Sequence, residues 1–132
     1  MRGGCLCGRV RYTITRPIEF TAVCHCNHCQ RQSGSAFSVI AAVPREAFIL
    51  QGPTRTFVDA GDSGHPVERV FCPECGSPLY STTYRGRNRV YVKVGTLDET
   101  GVVHPTSEIY GDVKQKWLHD FNLSVFQLGT EP

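Results

Sequence analysis

Seven cysteines stand in this chain of 132 residues, in three groups whose spacing suits thiolate chemistry. Cys5 and Cys7 form a C-x-C. Cys24, Cys26 and Cys29 form a C-x-C-x-x-C within "CHCNHC" at 24–29, with His25 and His28 between them. Cys72 and Cys75 form a C-x-x-C in "CPECG", where Gly76 eases the turn as in a zinc knuckle. A thiolate is both a nucleophile and a metal ligand, and zinc takes four tetrahedral ligands at about 2.3 Å from each sulfur. Residues two apart on an extended segment project from one face, so Cys5 with Cys7, and Cys24 with Cys26, can each converge on one ion. The spacing favours a division of four and three. Cys5, Cys7, Cys72 and Cys75 would close a structural site. Cys24, Cys26 and Cys29 would leave one position open, the usual form of a catalytic zinc. Two alternatives stay open on spacing alone. His28, inside the short loop, can act as a fourth ligand and close the second site. The triplet can also join the knuckle, although that offers five sulfurs for four places and leaves Cys5 and Cys7 as thiols. His25, between two same-face cysteines, is expected to point away from their metal. Packing of free buried cysteines accounts for single residues but not for three groups at ligand spacing.

The elements that must carry these groups read mostly as strands. "RVRYTIT" alternates, with Val10, Tyr12 and Ile14 on one face. "AFSVIAAV" is apolar on both faces and reads as buried on both. "RVYVKV" sets Val90, Val92 and Val94 one way, Tyr91 and Lys93 the other. "TRTFVD" and "ERVFC" are shorter candidates, and "PLYSTTY" joins "RVYVKV" through "RGRN" in a hairpin. Helix signals are few: "KQKWLHDF" near the C-terminus and a single turn after Cys29. Gly and Pro punctuate the rest. The reading is a mainly β chain, residues 1–132 as one domain, with antiparallel sheets and few short helices.

Composition narrows the function classes. Fourteen Lys and Arg against twelve Asp and Glu give a net charge of +2, too little for the basic face that nucleic acid requires. No apolar run reaches membrane-spanning length, and "MRGGCLCGRV" has no apolar signal region. Clustered cysteines of odd number fit metal binding in a reducing compartment better than a disulfide framework, which points to the cytoplasm.

Taken together, "GGCLCGRVRY", "CHCNHCQRQSGSAF", "FCPECGSPLY", "VKVGTLDE" and a late "KQKW" resemble the glutathione-dependent formaldehyde-activating enzyme family, the CENP-V/GFA domain. The resemblance runs almost end to end. It implies an all-β, tent-like arrangement of sheets around zinc. It implies a structural zinc on Cys5, Cys7, Cys72 and Cys75 and a catalytic zinc on Cys24, Cys26 and Cys29. The implied reaction condenses glutathione with formaldehyde to S-hydroxymethylglutathione, a carbon–sulfur lyase step in reverse. Glutathione would be co-substrate and a small aldehyde its partner. The alternative is a glutathione-binding or structural zinc protein of the same fold with no turnover.

Glutathione carries two carboxylates and one ammonium, so cations are expected near the triplet. Arg31 follows it most closely and is the candidate for glutathione contact, with a solvated helix arginine as its plain reading. "SGS" at 33–35 offers backbone N–H groups or a simple turn. Arg85, Arg87 and Arg89 form a basic hairpin tip, usually a solvated face. Trp117 is a core or lid aromatic in the late motif. Asp98 in "GTLDE" either orients a ligand of the catalytic site or caps a turn.

Overall fold

The computed structural model describes residues 1–126. Its elements run β1 (Arg2–Gly4), β2 (Arg11–Ile14), β3 (Phe20–Cys24), α1 (Asn27–Ser33), β4 (Ser38–Pro44), β5 (Phe48–Gln51), β6 (Arg55–Ala60), β7 (Pro66–Phe71), β8 (Pro78–Thr83), β9 (Arg89–Lys93), β10 (Ser107–Ile109) and β11 (Ser124–Phe126). Short 3₁₀ turns lie at Arg45–Ala47, Val94–Thr96, Thr100–Val102 and Gly111–Val113. No helix among the described residues is long and apolar enough to cross a membrane.

The strands form two sheets. One is β1-β2-β5; the other has the order β11-β10-β3-β4-β9-β8-β7-β6. Most neighbours are antiparallel, as the sequence predicts, including the β8–β9 hairpin. The second sheet is nevertheless mixed, because β10 runs parallel to both β3 and β11. Parallel neighbours need long crossovers, and short runs joined that way carry no hairpin signal in the sequence.

The main core lies between the sheets. Val10, Tyr12 and Ile14 pack with Ala41, Val43, Leu79, Val90 and Val92, and Cys5 and Cys72 belong to the same cluster. Complete burial of a Val or Leu side chain stabilises by about 1.5–3 kcal/mol. On the other face of the large sheet, Ala22, Ile40, Ala42 and Tyr91 make a second cluster. The central strands β4 and β9 are thus covered on both faces, and Lys93 is buried there at 6% exposure.

Two expected helices differ. Residues 114–121 form no helix, only a turn at 116–117. Their polar side chains reach across the molecule instead: Lys114 to Glu108 (3.3 Å) and Gln115 to Gln30 (2.9 Å). The turn expected after Cys29 is a seven-residue helix, α1, that already contains it.

Candidate metal centres and the clefts beside them

Two groups of sulfur atoms come together, and they divide the cysteines four and three. Cys5, Cys7, Cys72 and Cys75 place their Sγ atoms within 4.8 Å of one another, as do Cys24, Cys26 and Cys29. In the first group Cys5 and Cys7 are 3.5 Å apart and Cys7 and Cys72 are 3.7 Å apart. Four sulfurs at 2.3 Å from a tetrahedral centre stand about 3.8 Å from each other, so the group fits one ion. Two glycines in the left-handed region turn the chain around it. Gly8 has φ 80° after Cys7, and Gly76 has φ 74° after Cys75. Each donates its N–H backward, Gly8 three residues to Cys5 O (3.1 Å) and Gly76 four residues to Cys72 O (2.9 Å), so each segment makes a tight turn. Val10 N–H adds a bond to Cys5 Sγ at 3.3 Å.

The triplet straddles the junction of β3 and α1. Cys24 ends β3, Cys26 caps α1, and Cys29 lies in its first turn. The Cys29 N–H donates to Cys26 Sγ at 3.2 Å, so the cap and the putting-together of two sulfurs are one interaction. All three are buried, packed by Ile109 and Tyr110. His25 points away, as predicted: its Nε2 donates to Glu108 Oε1 at 2.8 Å inside the protein. His28 is also engaged elsewhere. Its Nδ1 donates to Asp59 Oδ2 at 2.8 Å, and its Nε2 lies 3.6 Å from Asp62 Oδ1. Neither histidine joins a sulfur group among the described residues.

Two buried cations face the triplet, and the sequence reading missed both. Arg69 on β7 donates from Nη1 to Cys29 Sγ at 3.8 Å and from Nε to Asp59 Oδ2 at 2.8 Å. Lys93 on β9 donates to Ser38 Oγ at 3.1 Å. Hydrogen bonds from Cys24 and Cys26, aided by the charges of Lys93 and Arg69, hold the Cys29 thiol well below its ordinary pKa, against the effect of burial. The same sharing pushes Cys24 up. Burial pulls the Lys93 ammonium down, opposed by the nearby sulfurs. Burial also opposes ionisation of Asp59, but bonds from Arg69 and His28 outweigh it and hold its carboxyl below the ordinary value. Strands β3 and β7 stand four places apart in the large sheet. A flat sheet would separate them by about 19 Å at 4.8 Å per strand. Arg69 nonetheless reaches Cys29, which lies on α1 beyond the end of β3.

Two clefts flank α1. The larger, about 870 Å³, is lined by Asn27, Gln30, Arg31, Gly34, Ser35, Ala36, Gln115 and Trp117. Arg31 is exposed on α1 and its side chain lines both clefts. Trp117 is 68% exposed and donates to Gln115 Oε1 at 2.6 Å, and Gln115 in turn donates to Gln30. Asp98 lies elsewhere. It is paired with Arg11 on β2 and orients no part of the triplet. Of the basic hairpin tip, Arg89 Nε is on Glu19 at 2.5 Å, and none of its three arginines lines either cleft.

A family model described as glutathione-dependent formaldehyde-activating enzyme (GFA) matches residues 1–113. A Penicillium rubens protein provisionally named glutathione-dependent formaldehyde-activating enzyme is 28% identical over 110 residues, which cover 80% of this chain and 56% of that protein. A Podospora anserina protein of the same provisional name is 31% identical over 80 residues, covering 58% of this chain and 36% of that protein. The chain thus spans about half the length, or less, of these curated relatives. A crystal structure of a Rhodobacter sphaeroides protein shares the fold with a TM-score of 0.61 at 19% identity, covering 80% of this chain and 92% of that one. Since the match over residues 1–113 takes in all seven cysteines, the chain belongs to the GFA family.

Proposed function

We propose that this protein joins the glutathione thiol to a small aldehyde, a carbon–sulfur lyase reaction run toward S-hydroxymethylglutathione or a close analogue. One observation carries the reading: the Cys24, Cys26 and Cys29 sulfurs converge while both nearby histidines are bound elsewhere. In this reading Cys5, Cys7, Cys72 and Cys75 hold a structural zinc, and Cys24, Cys26 and Cys29 hold a catalytic one. Zinc on three thiolates supplies an open coordination position that binds an incoming thiol and favours its ionised form. The rest is done by the chain. The large cleft accommodates the tripeptide beside α1, with Arg31 offered to a carboxylate and Trp117 as a flat wall. Arg69 and Lys93 offset the negative charge that gathers when sulfur is added to the site. Holding thiol and aldehyde together converts a bimolecular encounter into an oriented one. Residues 1–132 act as one domain, and its seven free cysteines suit the cytoplasm.

The test is exchange spectroscopy of glutathione with formaldehyde, with and without the protein. The condensation is expected to speed up with wild type and to return to the uncatalysed rate with Cys26→Ser. An unchanged rate in that variant sinks the lyase reading. Binding of glutathione with no rate gain identifies a binding protein instead.

A further inference from the structure

Across α1 from the large cleft lies a smaller one of about 290 Å³, lined by His28, Arg31, Gln32, Phe57, Asp59 and Arg69. Arg69 connects it to the sulfurs. Its side chain is 7% exposed, and it forms part of the cleft wall while touching Cys29. Its position is fixed from behind: Asp59 Oδ2 accepts from Arg69 Nε and from His28 Nδ1, each at 2.8 Å. A guanidinium has five N–H donors in one plane. Cys29 and Asp59 take two of them, and the others find no acceptor among the described residues. A rigidly held cation with donors to spare, at the meeting point of a cleft and a nucleophile site, suits an oxygen that gains charge.

We propose, resting on the function above, that this smaller cleft receives the aldehyde. The carbonyl oxygen faces Arg69, and the substituent lies along Phe57. When the glutathione sulfur adds, a carbon–sulfur bond forms and the carbonyl π pair moves onto oxygen beside the guanidinium. That oxygen then takes a proton from water, replacing the one the thiol gave up. Thiol and aldehyde together contain every atom and electron of the hemithioacetal, so no oxidant or reductant is needed. The carboxylate of Asp59 is itself held by Arg69 and His28, each at 2.8 Å, and Arg69 Nε rather than its remaining donors makes that bond. The size of the cleft points to the substrate class. Water occupies about 30 Å³ per molecule in the liquid, so the space far exceeds formaldehyde. Phe57 is the one apolar residue in the lining, and it is 61% exposed. The cleft is therefore matched to aldehydes with an apolar substituent, aromatic ones included.

The experiment titrates acetate and benzoate into the metal-loaded protein by calorimetry. Both present an anionic oxygen and neither can react. Wild type is expected to bind benzoate several-fold more tightly than acetate. Arg69→Met is expected to weaken both by roughly ten- to a hundredfold, the range of a charge-assisted hydrogen bond. Arg69→Lys recovers part of that loss, which a purely structural role would not. Phe57→Ala, on an exposed edge strand where folding is spared, narrows the preference for benzoate. In exchange spectroscopy with benzaldehyde, Arg69→Met lowers kcat more than it raises KM for glutathione. Equal binding of acetate and benzoate overturns the proposal, as does benzoate binding that neither Phe57→Ala nor Arg69→Met alters. If carboxylates bind as expected but no aldehyde exchanges faster with wild type, the lyase reading itself has failed and the carbonyl assignment falls with it.

Discussion

Cys72 and Cys26 are both buried thiols, yet their removal should have opposite consequences. Cys72 is part of the main core and of the four-sulfur group. In the proposed reading Cys72→Ser breaks a closed metal site, and structural zinc in zinc-finger peptides binds with about 10–16 kcal/mol that serves as folding free energy. It is expected to unfold the protein or lower its Tm steeply. Cys26 sits in a satellite cluster at the start of α1. Serine caps helices well, so Cys26→Ser should retain the fold and lose only the metal of the triplet. Metal content per chain and thermal melting separate the two, and an equal fall in Tm would contradict the assignment of brace and reaction site. Spacing favoured the sulfur partition without closing the alternatives, because it shows which cysteines converge within a group and not which groups meet across 65 residues. Arg69 and Asp59 were not legible at all. They approach Cys29 and His28 from 40 and 31 residues away, and nothing in their own neighbourhood marks them. Lys93 did leave a trace: a lysine alternating with valines, on a strand beside one that reads as buried on both faces.

At the scale of elements, alternation located the long strands and their faces, since a two-residue period is visible wherever one side is apolar. It missed β1, β10 and β11, three residues each and too short to show a period, and also β5 and the five-residue β3 that carries Cys24, which is buried at four of its five positions and so shows no alternation. The segment "KQKWLHDF" misled for a different reason. Trp117, Leu118 and Phe121 have helical spacing, but Phe121 packs edge-on against Phe37 at 5.5 Å and near His25. Tertiary contacts outweigh weak local propensity there. What this segment does instead is wall the large cleft, tied to α1 through Gln115 and Gln30. Gln115→Ala removes that tie, and a net hydrogen bond is worth about 0.5–1.5 kcal/mol. The KM for glutathione is expected to rise roughly two- to tenfold while kcat holds, as steady-state kinetics would show. A loss confined to kcat would separate the segment from thiol binding.

For the molecule as a whole, the small sheet is held to the rest through Tyr12. Its hydroxyl meets Thr96 Oγ1 at 2.8 Å outside the sheet, and its ring packs at 5.1 Å on Phe48 of the same sheet, which in turn meets Tyr80 of β8 at 4.9 Å. Burial pushes the Tyr12 phenol up to about 12, against the bond from Thr96. Because the folded value lies above the unfolded one near 10, this stabilisation is complete below pH 10 and is lost as pH rises toward 12. Alkaline unfolding followed by circular dichroism and tyrosinate absorbance should fall in that window, and Tyr12→Phe should move it higher. The two sulfur groups also differ in shelter. The triplet is buried throughout, whereas Cys7 of the four-sulfur group is exposed and Cys75 is half-buried. After chelation, iodoacetamide should therefore label Cys75 ahead of Cys24, Cys26 or Cys29, because it is more open and hydrogen bonds from Ser77 hold its thiol down to about 5, as peptide mass spectrometry would reveal. On the proposed division of roles, oxidative damage after metal loss begins at the foundation and not at the workbench: such a preparation would lose activity by coming apart, with the sulfurs of the triplet still chemically intact.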